Sequence, residues 1–142
     1  YEIMPSLVGS EMCIRDSLRA EKVAKIPVPD VEVQGCADDA DLLIVGFGGT
    51  YGHLYSAMEE MNKAGKKVAL AHFTYLNPLP KNTETVLKKY KKVVVAEQNL
   101  GQFAGYLRMK IDNFTPYQFN EVKGQPFVVA ELVAAFNKLI DN

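Results

Sequence analysis

The sequence contains no tryptophan, two histidines, two cysteines and a formal net charge of only −1. Each scarcity removes a class of function. Cys13 and Cys36 lie in no CxxC pair, and two thiols cannot hold an iron–sulfur cluster, which takes four. A chain of 142 residues also needs no disulfide to keep a core, so both are expected as free thiols of a cytoplasmic protein. Sixteen basic residues against seventeen acidic ones form no basic stripe, which argues against nucleic acid as a partner. No apolar run approaches the roughly 20 residues that cross a bilayer. The first residues lack the basic start and apolar stretch of a secretory leader, so no membrane partner is expected.

What remains is the profile of one globular domain, with 48% apolar and 23% charged residues. Residues 1–17 (YEIMPSLVGSEMCIRDS) have no sustained helical or strand period. They resemble a translated sequencing-adapter tail, and are expected to contribute neither packing nor function. On that reading the natural protein continues upstream. Residues 18–39 read as an incoming helix, Leu18 to Ile26, ended by Pro27 and Pro29 and followed by a mostly extended linker. Residues 40–142 then form the domain.

Within the domain the pattern alternates. Leu42 to Gly48 is a continuous apolar run ending in glycines, as in a strand covered on both faces. Thr50 is placed to cap the next helix, whose Leu54, Ala57, Met58 and Met61 recur at helical spacing, with Gly65 where such a helix ends. Lys67 to Phe73 is a second strand. Asn77–Pro78–Leu79–Pro80 forces a loop, and Asn82 is placed to cap a helix through Tyr90, with Val86, Leu87 and Tyr90 inward. Lys92 to Ala96 is a third strand, rich in β-branched residues. A helix from Gln102 to Ile111 follows, with Phe103, Tyr106, Leu107 and Ile111 on one side. Tyr117 to Val122 alternates like an edge strand, and a last helix from about Val128 to Leu139 turns Val129, Leu132, Val133, Phe136 and Ile140 inward. This order specifies an α/β three-layer sandwich around a mostly parallel sheet, with room for one antiparallel edge strand.

Open parallel sheets gather function at the carboxyl ends of their strands. That edge collects Gly46 to His53, His72 to Tyr75 and Glu97 to Asn99, which include both histidines, a carboxylate and four glycines. The glycines do not make a GxGxxG fingerprint, because Tyr51 takes the third glycine position, and the next strand ends in His72 and Phe73 where an acidic residue should hold a ribose. No P-loop Lys–Ser/Thr pair is present. Glycines here also serve a tight turn and close helix packing without a ligand. His53, His72 and Glu97 lack metal-ligand spacing, and each histidine reads more simply as a hydrogen-bonded loop residue. Glu97 reads as a cap or as a salt bridge to a neighbouring loop or domain. Lys88, Lys89, Lys91 and Lys92 suit a solvated helix end, with a ferredoxin-docking patch as the sharper alternative.

Four blocks carry a family resemblance over residues 40–140: GFGGTYGHL (Gly46 to Leu54), HFTYLNPLP (His72 to Pro80), EQNLGQFAGYLR (Glu97 to Arg108) and KGQPF (Lys123 to Phe127). In this order and spacing they resemble the α subunit of 2-oxoacid:ferredoxin oxidoreductases, and the stretch from Phe114 to Phe127 resembles the 2-oxoglutarate branch. The resemblance implies a transketolase-C-terminal-like fold. It implies a full enzyme that turns a 2-oxoacid and coenzyme A into acyl-CoA and carbon dioxide and reduces ferredoxin, with thiamine diphosphate, Mg and an iron–sulfur cluster as cofactors. The partners implied are a β subunit carrying the diphosphate-binding domain and cluster cysteines, and an upstream α-subunit domain.

None of that chemistry maps onto this chain: no catalytic, cofactor-binding or metal residue is expected here. The domain's expected role is architectural, with Gly48, Gly49, Thr50, Tyr51, Gly52, His53, His72, Glu97, Gln98 and Asn99 at or near an interface. Two alternatives stand beside it. One is a stand-alone nucleotide- or anion-binding module using Gly46 to Gly52. The other is a different thiamine-dependent enzyme with the same non-catalytic domain.

Overall fold

In the computed structural model of the chain, residues 17–141 other than 20, 23 and 24 are described. The expectation for residues 1–17 therefore falls, except for Ser17, outside the described residues, as does Cys13. Residues 17–19, 21 and 22 are helical, in line with the incoming helix, although its apolar Leu18 and Ile26 are exposed.

Five strands and four helices of regular length follow. The strands are β1 (Val33–Gly35), β2 (Leu42–Phe47), β3 (Val68–Phe73), β4 (Val93–Glu97) and β5 (Tyr117–Asn120). The helices are α1 (Tyr51–Lys63), α2 (Thr83–Lys89), α3 (Gln102–Lys110) and α4 (Val129–Asp141), and a single 3-10 turn, Gly48–Thr50, joins β2 to α1. The sheet order is β1-β3-β2-β4-β5. The pairs β2–β3, β2–β4 and β4–β5 are parallel, and only β1 runs antiparallel, beside β3. The antiparallel edge is thus β1. It falls in what the sequence shows as a linker, because three residues are too few to show a strand period.

Alternate residues of each central strand enter opposite cores, as the two-residue period of a strand requires. Leu43, Val45, Ala69, Ala71, Phe73, Val93 and Val95 pack with α2 and α3 through Leu87, Phe103, Ala104 and Leu107. Leu42, Ile44, Val68, Leu70, Val94 and Ala96 pack with α1 and α4 through Leu54, Met58, Met61, Leu132 and Phe136. This is the expected three-layer sandwich. The inward stripe of α1 is buried as read; on α4 only Leu132 and Phe136 are, while Val129, Val133 and Ile140 are half-buried. The half-burial follows from position, since α4 covers the end of the sheet where β5 is short and mostly exposed.

Two expected helix caps are spent otherwise. The Thr50 hydroxyl donates to the Phe47 carbonyl (2.9 Å) and does not cap α1. Asn82 stands at the start of α2, but its side chain bonds the backbone of Val31, 51 residues away in sequence. In both cases the side chain bonds a backbone group outside its helix instead of the helix amides. The expected end of α1 holds: Gly65 (φ +93°) is left-handed, its N–H donates to Asn62 O (3.1 Å), and Lys66 N–H donates to Met61 O (3.0 Å), the paired bonds of a Schellman ending.

Gly46 meets a separate constraint. A Cβ there would overlap Leu54 Cδ1, a side chain with no room to yield because it is fully buried under α1. Gly46→Ala is expected to destabilise the chain by about 1–3 kcal/mol through overpacking. Gly52→Ala, where a Cβ meets nothing, is expected to be neutral or stabilising by up to about 1 kcal/mol. Urea unfolding of the two variants beside the parent chain measures both.

Candidate functional site

The carboxyl edge of the sheet brings together the ends of β2, β3 and β4. In this topology β2 is followed by a helix on one face and β4, its neighbour, by a helix on the other. The crevice between two such strand ends is where an open α/β sheet usually admits a ligand. Aromatic rings pack beside it, on the face of the sheet that carries α3. Phe103 of α3 packs against Phe47 at the end of β2 (ring centroids 4.9 Å apart) and against Phe73 at the end of β3 (5.4 Å).

Glu97, the last residue of β4, is the centre of this edge. Its side chain is fully buried, and its two oxygens accept from the backbone N–H of Phe103 (2.6 Å) and of Ala104 (3.0 Å). Asn99 completes the set: its Oδ1 accepts from the N–H of Gly101 (2.8 Å) and of Gln102 (2.9 Å). The first intrahelical bond, Gly105 N–H to Gly101 O, then follows at 3.0 Å. A helix start leaves such N–H groups without intrahelical partners, and at α3 four consecutive ones are answered by two side chains, Glu97 from the end of β4 and Asn99 from the loop that follows it. A buried carboxylate there is stabilised by charge-assisted hydrogen bonds and by the positive end of the helix dipole. Of the two simple readings of Glu97, the cap is the one realised. Its side chain is therefore withdrawn from any surface a partner can touch, and the start of α3 is closed to an external anion.

The remaining expected residues form a network on the β2–β3 side. His72 Nε2 donates to the Gly48 carbonyl (3.0 Å). The Tyr51 ring stands edge-on to His72, with centroids 5.0 Å apart, and its hydroxyl donates to Gln34 Oε1 of β1 (2.8 Å). Tyr55 stacks beneath Tyr51 at 5.7 Å. A cleft of about 280 Å³ opens here, between the segment Pro29–Gln34 on one side and Tyr51, His72 and Tyr75 on the other. Burial lowers the pKa of His72 below its ordinary 6.5, partly offset by the bond to the Gly48 carbonyl. His53 is half-buried on α1. Gly48, Gly49 and Gly52 face open space. Gln98 Nε2 donates to Gln125 O (2.9 Å), tying the loop after β4 to the loop after β5.

His53, His72 and Glu97 therefore do not form one constellation. Among the described residues no three His, Cys, Asp or Glu side chains gather as metal donors. Cys36 Sγ lies 3.7 Å from Asn62 Oδ1. The arrangement holds loops in place; it presents no nucleophile beside a base.

Sequence reasoning missed two groups of residues. Leu100 is 84% exposed at the tip of the loop between β4 and α3, and Val122 and Val128 are exposed in the loop after β5. An apolar residue between Asn99 and Gly101 was the available signal for Leu100. Lys92 was read as a solvated cation, yet its Nζ donates to Leu139 O (2.6 Å) and Ile140 O (3.1 Å), closing the carboxyl end of α4. Lys88 pairs with Glu84 (2.9 Å) and Lys89 donates to Ala37 O (3.1 Å), so the lysine run is largely engaged in the fold itself.

Residues 40–129 match the family described as pyruvate:ferredoxin oxidoreductase core domain II. The chain is 44% identical over 117 residues to the 2-oxoglutarate oxidoreductase subunit KorA of Mycobacterium tuberculosis, a match covering 81% of this chain and 18% of that subunit. Among solved structures, the 2-oxoglutarate:ferredoxin oxidoreductase from Magnetococcus marinus, with 2-oxoglutarate, coenzyme A and succinyl-CoA bound, superposes with a TM-score of 0.79 at 25% identity, over 94% of this chain and 23% of that one. A split-gene transketolase, an inactive β4 tetramer, superposes with a TM-score of 0.58 at 15% identity, over 82% and 44% of the two chains, and shares the fold. The chain spans about a fifth of the length of the curated relatives it matches.

Two predictions follow from the edge geometry. Glu97→Ala strands two buried N–H groups and is expected to cost about 3 kcal/mol or more, whereas Asn99→Ala, at a more exposed cap, is expected to cost about 1 kcal/mol; chemical denaturation compares them. For His72 the folded state favours the neutral ring, so the unfolded chain takes up the proton first. Its contribution is complete above pH 6.5 and is lost as the pH falls below that value, until the folded state also protonates. The stability of His72→Gln, measured across that range, is expected to fall less steeply than that of the parent.

Proposed function

The chain belongs to the pyruvate:ferredoxin oxidoreductase core domain II family, and from that premise we propose that it is the non-catalytic carboxy-terminal domain of the α subunit of a 2-oxoglutarate:ferredoxin oxidoreductase. The observation that carries the reading is the 44% identity to a 2-oxoglutarate oxidoreductase subunit over 117 residues. The whole enzyme would join a 2-oxoacid to coenzyme A. The bond between the keto carbon and the carboxylate breaks and carbon dioxide leaves. The acyl carbon forms a bond to the coenzyme A sulfur, the thiol releases its proton, and two electrons pass to ferredoxin. With 2-oxoglutarate the product is succinyl-CoA.

Thiamine diphosphate, Mg and an iron–sulfur cluster would supply the decarboxylation and the electron transfer. The described residues of this chain do not fit any of the three. The one carboxylate at the centre of the strand-end edge is consumed by α3, Cys36 is the one free cysteine among the described residues, and a cluster takes four thiolates. No step is therefore assigned to this chain. Those groups would lie on the β subunit and on the upstream α-subunit domain, which are its proposed partners, with ferredoxin and coenzyme A serving the assembled enzyme. No helix among the described residues is long and apolar enough to cross a membrane, and the proposed compartment is the cytoplasm.

The domain's own contribution is to hold a shaped edge against its neighbours. Gly48, Gly49, Tyr51, Gly52, His53, Gln98 and Asn99 supply its polar part, and Leu100 is the apolar residue most able to act as an anchor. An isolated apolar side chain this exposed is unremarkable by itself; on a loop pinned by Asn99 on one side and tied to Gln125 on the other it is presented in a fixed position.

The test is a chimera. Residues 40–141 replace the matching segment of a KorA-type α subunit, co-produced with its β subunit, and reduction of ferredoxin is followed with 2-oxoglutarate and coenzyme A. Assembly and turnover on 2-oxoglutarate are expected, none is expected from the chain alone, and Leu100→Asp in the chimera is expected to weaken subunit association at least about tenfold. A chimera that assembles but does not turn over, or a chain that decarboxylates 2-oxoglutarate by itself, overturns the reading.

A further inference from the structure

Between Pro29 and Gly35 the polypeptide crosses the surface as a strap, and we propose that Asn82 is the latch that holds it: the side-chain amide stands in for a missing β-strand and fixes the incoming chain to the domain. Asn82 Oδ1 accepts from the Val31 N–H (2.9 Å), and Asn82 Nδ2 donates to the Val31 carbonyl (3.0 Å). These are the two bonds a neighbouring strand would make to one residue. An amide is the side chain that offers a donor and an acceptor side by side in one plane.

Three observations separate a latch from a chance contact. First, Asn82 occupies the position that begins α2, where its side chain could stabilise the helix by about 1 kcal/mol as a cap; it makes no cap bond, and both functional atoms go to Val31. Second, Val31 is buried in the same core as Leu87 and Tyr90, so the latch secures a residue already inserted between elements. Third, the strap is held again further on. Val33–Gly35 pair with β3, Gln34 accepts from Tyr51, and Ala37 O accepts from Tyr90 and Lys89. Of these attachments, Asn82 is the one nearest the incoming end.

The strap also forms one wall of the cleft whose other wall is Tyr51, His72 and Tyr75. Release of the latch would therefore change the shape of that edge and loosen the segment through which the preceding chain arrives. This consequence for the α subunit rests on the function proposed above; the latch itself does not.

Hydrogen exchange on the full 142-residue chain, resolved by peptide, tests it. Asn82→Ala is expected to speed exchange across residues 29–35 about tenfold, the effect of roughly 1.4 kcal/mol of local opening, while peptides from β2 and β4 keep the parent rate. Asn82→Asp should behave similarly, because a carboxylate keeps the acceptor for Val31 N–H but sets an oxygen against the Val31 carbonyl. Tyr51→Phe removes the Tyr51–Gln34 bond only, and should leave Val31 protected to within about twofold. Unchanged strap protection in both Asn82 variants overturns the proposal. So does equal acceleration of the strap and the central strands, including outright loss of folding, since Asn82 would then act on global stability. None of these readouts involves another subunit, so they stand apart from the outcome of the chimera.

Discussion

The carboxylate of Glu97 lies where β4 ends and α3 begins, and the carboxyl edge of the domain is organised around it. A helix that starts against the interior of a sheet brings unpaired N–H groups into a place water cannot reach, and a carboxylate in the same place is equally costly alone. Each solves the other's problem. Glu97 takes the N–H groups of Phe103 and Ala104, Asn99 takes those of Gly101 and Gln102, and with α3 so fixed Phe103 packs on Phe47 and Phe73 at the ends of β2 and β3. The same bonds occupy the amides at the start of α3, which are therefore not free to bind an external anion.

Lys92 shows the complementary arrangement at the other end of the same strand. It immediately precedes β4 and donates to the last carbonyls of α4, on the face of the sheet opposite to α3. One five-residue strand, Val93–Glu97, is thus bracketed by a cation at a helix carboxyl end and an anion at a helix amino end, each of the sign the helix dipole favours. Its Val93 and Val95 enter one core and Val94 and Ala96 the other. The strand joins the two layers by packing in its middle and by charge at its ends, which is why charged residues beside it were easy to misread as surface or site.

Much of the architecture was legible because it is written in local pattern. Leu42 to Gly46, Val68 to Ala71 and Val93 to Ala96 are buried on both faces and read as continuous apolar runs; Leu54, Ala57, Met58 and Met61 repeat at the helical period and are buried; Gly65 ends α1 with a left-handed backbone. The candidate edge was legible too, since parallel order alone sends His72 and Glu97 to the same end of the sheet. What was not legible was the partner of each polar side chain. Thr50 and Asn82 stand where caps stand, yet one serves the turn before its helix and the other a segment 51 residues away. Leu100 offered only an apolar letter in a polar loop, and three residues at Val33–Gly35 were too short a strand to show a period.

By itself, then, the sequence determined the alternation of strands and helices, the parallel order, the family to which the blocks around Gly46, His72 and Glu97 point, and the end of the sheet at which polar residues collect. These follow from spacing along the chain, where hydrophobic burial acts on every second or every third to fourth residue. Only the tertiary structure decided what those polar residues do: that Glu97 and Lys92 close helices, that Asn82 holds Val31, and that Phe103 packs on the ends of β2 and β3. A hydrogen bond depends on angstrom-scale placement of groups far apart in sequence, and nothing in the local pattern of a chain records which distant backbone amide will arrive within 3 Å.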